Sequence, residues 1–565
     1  MKRGTQVDNP SSETALWPVP DRPGSGWRKS DPPLGALRRA ATLLGLLFLA
    51  LGVGAIGSSS SLAWTPTILV TSEFNPSNGD LGIDTYKLNQ AVQGNGSSLA
   101  AWEVETANVT EIRTQLIKRG GALNGPGLTA VSLPKPVTLD DWAITSLGDG
   151  YVLIWAETLA AAFNFSEISY RTISPTGVLG PKVTLDSTSV AADAGRATYQ
   201  AISASSGKGR ANVAWGYYSR SGLPASKCGG DFYLSTDGPC TYTQKATFAR
   251  IASDGKLVDA SDLLSRQFSS EFVPCYFTSP ISPVTRTAPS TGAGTIVIND
   301  FCRPVGGESE WSILFSRVSA GGAVSPARFI SFGLGFSSSM ASDGTTFLIE
   351  GDRLYRIPAK KGLKSRLLGG ALNLGSQWNL TASRILGLPR GQAILVMIAE
   401  KDSGGKLTRT VWGRPIRPNG SFGKARNLFS RTYSASGPGT PDNSFFEIEL
   451  AVGPGRGAAT MSITTRRSET QSQTLASRAA RTYALAINRN GGKVPGSLTS
   501  LTAQSLQGSP KTEYFDVNAR TAVAVSQDGT ASVLALSSYY RELNSAPFTG
   551  SAEADLVSSK LFRNP

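Results

Sequence analysis

Carboxylates recur at one place in this 565-residue chain, where a short apolar run gives way to a polar one. They are Glu103 and Glu105, Glu157, Asp300, Glu350 and Asp352, and Glu400 and Asp402. Two of them held about 5–10 Å apart would serve glycoside cleavage. A cluster of their oxygens would hold Ca2+, but no DxDxDG spacing is present, and neither a cofactor nor a metal site is expected. The plainer alternative is that these residues end strands and bond to neighbouring loop amides. Histidine is absent from the chain. That removes Ser-His-Asp and Cys-His nucleophiles, imidazole metal ligands and a histidine pH switch. No catalytic residue is assigned.

The cysteines, Cys228, Cys240, Cys275 and Cys302, have no zinc-like spacing. Two disulfides, Cys228–Cys240 and Cys275–Cys302, would staple neighbouring loops in an oxidising compartment; two other pairings and free thiols stay open. Aromatic residues gather around the same loops: Tyr217, Tyr218, Phe232, Tyr233, Tyr242 and Tyr276. They would either stack on a sugar or peptide, or pack the loops down. Trp102, Trp155 and Trp215 fall at equivalent places in successive copies of a repeat, which predicts core packing.

That repeat is the element that must position everything else. The stretch from Ala143 to Asp186 reads strand, glycine turn, strand, loop, strand, glycine turn, strand. Copies follow inner turns at Gly96, Gly150, Gly209, Gly294, Gly344, Gly391, Gly457 and Gly529. Outer turns fall at Gly121, Gly177, Gly255, Gly322, Gly362, Gly420 and Gly492. Glycine beside Asp, Asn or Ser between apolar runs is a hairpin signal, and no 3.6-residue periodicity persists. The last copy lacks its fourth strand, while PSNGDLGIDTYKLN, with its turn at Gly79, stands unpaired at the other end. The expectation is an all-β, eight-bladed propeller of four-stranded antiparallel blades, closed by an N-terminal strand completing the C-terminal blade. A pair of sandwiches is the alternative. On the propeller reading the long, variable connections share one face with the cysteines. The candidate ligand residues there are Tyr217, Tyr218, Tyr233, Tyr276, Glu157, Asp300, Glu350 and Glu400.

Three segments are expected. Residues 1–39 are polar, Pro-rich and without apolar periodicity, and read as a disordered basic tail. Within 40–63, Arg38 and Arg39 precede an apolar run, 40–57, with Ala63 as a cleavage position; this is an export signal or a membrane anchor. Residues 64–565 form the propeller, outside the cytoplasm on either reading. The formal charge is +14, but no Lys/Arg run exceeds two residues, so nothing points to nucleic acid; any membrane contact would run through 40–57.

Pieces such as ASDGTTFLIE and IRPNGSFG resemble the repeats of large bacterial extracytoplasmic β-propeller proteins, over most of the chain after Ala63. The Trp-Asp pairs of WD repeats and the Trp of sialidase Asp boxes are missing. The resemblance therefore implies a blade and not an activity. The functional expectation is a binding or scaffold module for a polymer or protein ligand. A carboxylate-dependent glycosidase or lyase with its site at the axis is the alternative.

Overall fold

A computed structural model describes residues 62–75, 83–159, 165–189, 195–222, 240–269, 281–305, 308–332, 336–350, 353–359, 366–367, 374, 377–434, 446–452, 459–471, 474–507, 513–525, 530–543 and 550–563. The chain divides into Met1–Ser59 and Ser60–Pro565. The basic tail, the apolar run 40–57, and Cys228, Cys275, Tyr233 and Tyr276 lie outside the described residues. No helix among the described residues is long and apolar enough to cross a membrane.

Eight antiparallel sheets follow one another along the chain, seven of them built from four consecutive strands. Within each blade the strands are lettered A to D in chain order. Blade 2, for example, is Val137–Leu147, Gly150–Leu159, Phe165–Ile173 and Val183–Ser189. Each A strand touches the A strand of the next blade, from blade 1 round to blade 8 and back to blade 1. This is an eight-bladed β-propeller with the A strands at its axis.

The physical reason lies in the B strands. Ser98–Glu105 and Gln392–Asp402 are buried along nearly their whole length, because each blade is covered on both faces. Two covered faces replace strand alternation with a continuous apolar run. An apolar cluster fills every gap between neighbouring blades. Trp102, Trp155 and Trp215 are at most 3% exposed within these gaps, as core packing requires.

The last three strands belong to blade 8, and the N-terminal strands Leu62–Trp64 and Ile68–Asn75 both pair antiparallel with Gly550–Arg563. The sequence reading had given that place to the segment after Gly79. Residues 76–82 are outside the described set, and Ile83–Val92 is instead the A strand of blade 1, in register with Ser98–Glu105. The short turn at Gly96 forces that pairing, since a strand leading into an inner turn must be an A strand. Ala63 is already paired with Phe562, so a cut after it would remove two of the three residues of the first strand.

The turns fall as the glycines predict, with small shifts. Positive φ occurs at Gly96, Gly209, Gly344 and Gly391, but at Gly148 and Gly292 in place of Gly150 and Gly294, and at Gly491 in place of Gly492. Gly362, Gly457 and Gly529 are outside the described residues.

A polar lock joins the blades at these turns. It occupies the residue before the last apolar one of strand C in blades 3, 4 and 5, and the matching place, Lys560, three residues before the end of Gly550–Arg563 in blade 8. Arg250 donates from Nε to Asn212, from Nη1 to Ala320 O (2.8 Å), and from Nη2 to Gly292 O and Ser319 O (both 3.1 Å). Those carbonyls belong to the two turns of blade 4. Arg317 reaches Ala359 O of blade 5 at 3.0 Å, and Arg356 reaches Pro418 O of blade 6 at 2.5 Å. Lys560 of blade 8 donates to Gly96 O (2.8 Å), Ile117 O (3.4 Å) and Lys118 O (2.5 Å) of blade 1. In blades 1, 2 and 6 the same position holds Leu116, Thr172 and Pro415, which come against Gly177, Gly255 and Gly491 of the next blade.

Lys560 is fully buried, so its removal strands the buried carbonyls of Gly96 and Ile117. Lys560→Met is expected to lower stability by about 2–4 kcal/mol, measured by urea denaturation. A loss under about 0.5 kcal/mol would show that those carbonyls find other partners.

Candidate functional site

In an antiparallel four-stranded blade the A–B and C–D turns emerge on one side, and the B–C and D–A connections on the other. The first is called here the turn face, the second the loop face. The strand-B carboxylates stand at the loop-face end, as the sequence predicts. Glu103, Glu105, Glu157, Asp300, Glu350 and Glu400 have partners there, and Asp352 lies outside the described residues.

Glu103 is 9% exposed and accepts from Trp142 Nε1 of blade 2 at 3.1 Å. Asp300, 2% exposed, is gripped by both Nη atoms of Arg266 from blade 3, which also bonds Gln244. Glu350, 7% exposed, accepts from Ser331 Oγ of blade 4 at 2.5 Å. Glu400 pairs with Arg409, its cross-strand neighbour. These carboxylates hold blades together or neutralise cross-strand cations. Their partners are Trp, Arg and Ser side chains in place of the loop amides that the plainer alternative expects, and Asp300 lies within the strand Gly294–Val305.

Glu157 belongs to a denser cluster. It faces Glu167 directly across strands B and C, an unfavourable pairing of like charges. Lys182 resolves it, with Nζ 2.8 Å from Glu157 Oε1 and 3.1 Å from Glu167 Oε1. The ammonium also lies 5.8 Å from the centre of the Trp155 ring, and Trp155 Nε1 donates to Glu157 Oε2 at 2.7 Å. Burial pushes the Glu167 carboxyl up, but hydrogen bonds from Ser169, Thr184 and Lys182 outweigh it and hold the group below its ordinary value. Burial likewise pushes Lys182 down, while Glu157 and Glu167 more than offset it.

A second cluster, not singled out by the sequence, joins the A strands of blades 1 to 3. Lys87 contacts Asp141 Oδ1 and lies 5.2 Å from the Trp142 ring centre. Asp141 Oδ2 accepts from the backbone N–H of Ile202. Burial pushes the Lys87 ammonium down to about 7, against the pull of Glu103. Nothing in sequence spacing marks this cluster, because its members come from three different repeats.

Of the aromatic candidates, Tyr217 and Tyr218 are described with their side chains, and both are packed. Tyr218 is 5% exposed. Tyr217 packs against Tyr199 with ring centres 5.1 Å apart and the planes tilted by 45°, and its hydroxyl lies 3.2 Å from Thr188 Oγ1. Lys245 sits over the other side of its reach, 5.8 Å from the ring. Cys240 begins strand C of blade 3, opposite Gly222, and Cys302 lies in strand B of blade 4; the pairing of the cysteines is outside what is described.

The described residues form a cavity of about 270 Å3 on the turn face, opposite the face that the sequence favoured. Gln93, Asn95, Ser146, Asp149, Ser206 and Lys208 border it. Three of these are the central residues of successive Gly-x-Gly turns: Gly94-Asn95-Gly96, Gly148-Asp149-Gly150 and Gly207-Lys208-Gly209. The motif was legible in sequence, but only the ring brings its three copies to one rim. Among the described residues no group of three acidic or cysteine side chains is placed to hold a metal.

No protein family matches the chain, and no curated protein matches it. Solved propellers do. An α-L-arabinofuranosidase of Fusarium graminearum is 10% identical, with 59% of this chain and 92% of that one covered and a TM-score of 0.33. The WD40 domain of SCAP from fission yeast is 11% identical over 87% and 98%, with a TM-score of 0.34. The haemagglutinin-neuraminidase ectodomain of parainfluenza virus 5 is 8% identical over 93% and 95%, with a TM-score of 0.33.

The Lys182 bridge has a pH signature. A carboxyl whose folded pKa lies below its unfolded value of 4.5 adds stability at neutral pH and loses it as pH falls through the folded pKa. Lys182→Met is expected to cost about 1 kcal/mol at pH 7, with the deficit shrinking below about pH 4.5. Paired denaturation curves of the two proteins at several pH values measure it; a deficit that stays constant would assign the loss to packing.

Proposed function

We propose that the chain is a binding propeller, exported or held at a membrane through residues 40–57, that retains a polymer or protein ligand without cleaving it. One observation carries the reading. Glu103, Glu157, Asp300, Glu350 and Glu400, on which two-carboxylate hydrolysis would draw, are engaged by Trp, Arg, Lys and Ser partners inside the scaffold. The turn-face cavity contains Asp149 as its single carboxylate, whereas acid-base or nucleophilic glycoside cleavage takes two.

The basic excess fits the same picture. Arg250, Arg317, Arg356 and Lys560 are matched by backbone carbonyls, so part of the charge of +14 is structural and requires no anionic partner. The ligand is placed on the loop face, where the long connections between Gly222 and Cys240 and between Ser269 and Ser282 emerge. Disulfides Cys228–Cys240 and Cys275–Cys302 would cap them. Mapping under non-reducing conditions is expected to recover those two linked peptides, and a different pairing would remove the capped-loop element.

A carbohydrate-active enzyme is the second reading, favoured by Lys87, an amine near neutrality beside Asp141 and Glu103. An amine in that range is suited to general base work. The two readings separate on one comparison. The full chain is expected to retain a polysaccharide or protein on an array at 0.5 M salt, about where diffuse charge is screened, and to release no product from a glycan panel. Product formation that Lys87→Met abolishes would overturn the binding reading.

A further inference from the structure

The turn-face cavity is a built feature, and its chemistry selects a ligand. Its rim is fixed by hydrogen bonds to backbone carbonyls from blade to blade. Gly148 N donates to Gly209 O at 2.9 Å, Lys208 N donates to Pro289 O at 2.9 Å, and Gln93 Nε2 donates to Gly150 O. The packing behind the rim is close. A Cβ on Gly207 would lie 2.6 Å from Ala288 O and 2.7 Å from Thr287 Cγ2, so the chain has no slack there. Such a rim is preorganised, and binding to it orders little.

Lys208 is the telling residue. It occupies the left-handed region at φ 53°, which costs any side chain and which glycine or asparagine would fill more easily. Asn95 and Asp149, its counterparts, are ordinary turn residues. Ala201 and Arg390 share that region, and of the three only Lys208 borders the cavity, which points to use of its side chain.

The groups on offer define the partner. Asn95 Oδ1 is occupied by the Ser97 N–H at 2.9 Å and the Ser97 hydroxyl at 2.5 Å, so the amide nitrogen is the end left to donate. Lys208 donates, and Asp149 accepts. The Ser146 and Ser206 hydroxyls bond each other at 2.6 Å, each keeping further capacity. One ammonium and one carboxylate balance, so the lining favours neither an anion nor a cation. Val92, Pro289 and Val525 add an apolar patch. Neighbouring hydroxyls that each donate and accept, on a ring with C–H faces, match this lining. We propose that the cavity binds one unit of a neutral sugar, at a site separate from the loop face.

The test uses the full chain and a panel of neutral methyl glycosides, with inorganic phosphate and glycine as charged and zwitterionic probes, read by ligand-observed NMR titration. Saturable binding of at least one neutral glycoside is expected, with phosphate and glycine inert. Lys208→Gly is expected to weaken that binding tenfold or more without lowering the melting temperature, because glycine relieves the turn. Asp149→Asn, which repeats the residue of blade 1, is expected to weaken it similarly. Absence of glycoside binding, preference for phosphate or glycine, or affinity unchanged in both variants would overturn the assignment. Polymer retention that persists in both variants would leave the loop-face reading standing while this one falls.

Discussion

The seam between blades is the constraint on which this molecule depends. A single blade has two apolar faces and cannot bury either alone, so each needs a neighbour. The seams also bring together turns full of backbone carbonyls, which must be satisfied where water is excluded. Arg250 and Lys560 do this from blades 3 and 8, each reaching three carbonyls in the two turns of the following blade. A long cationic side chain is suited to the task, since it carries several donors on an apolar stem that packs along the gap. The A strands add a second tie at the axis. Ser203, Ser337 and Ser339 accept backbone N–H groups from the A strand of the adjoining blade, which uses the edge that an inner strand would otherwise leave open.

The same demand explains why the acidic residues are poor candidates for chemistry. On the loop-face side, Trp142 to Glu103, Arg266 to Asp300 and Ser331 to Glu350 cross the boundaries between blades 1 and 2, 3 and 4, and 4 and 5. A carboxylate buried to this degree is stable only with such partners. Its recurrence at the end of strand B is a property of the seam. The two proposed sites, on the loop face and at the rim of Gly-x-Gly turns, draw on neither set of seam contacts.

The repeat itself was open to reading. Short apolar runs punctuated by Asp-Gly, Asn-Gly and Gly-Gly specify hairpins locally, and eight of them with no helical periodicity leave little but a ring of blades. The tryptophans were equally plain, because a large apolar residue at one register in Trp102, Trp155 and Trp215 has to face a neighbour. The N-terminal copy was misplaced by a strand. The turn at Gly79 resembles an outer turn, while the Gly96 hairpin that follows makes Ile83–Val92 an A strand, and one local signal overrode the other. The lock was not read, although Arg-Ile, Arg-Val, Arg-Ile and Lys-Leu recur at the ends of strand C. A cation before an apolar residue is too common to stand out until its carbonyl partners, about 40 to 460 residues away, are known.

The sequence by itself therefore determined the strand class, the number of blades, the turn glycines and the packing tryptophans, all of which depend on neighbours within one repeat. It also excluded histidine chemistry outright. Tertiary structure decided what these polar side chains do, since the partner of Glu350 lies in the preceding blade and those of Asp141 lie in the blades on both sides. It decided too that Asn95, Asp149 and Lys208, about 55 to 60 residues apart in the chain, share one rim. Hairpins are fixed by local torsions and can be read along a chain, whereas a site made by the ring exists only after the long-range contacts have closed.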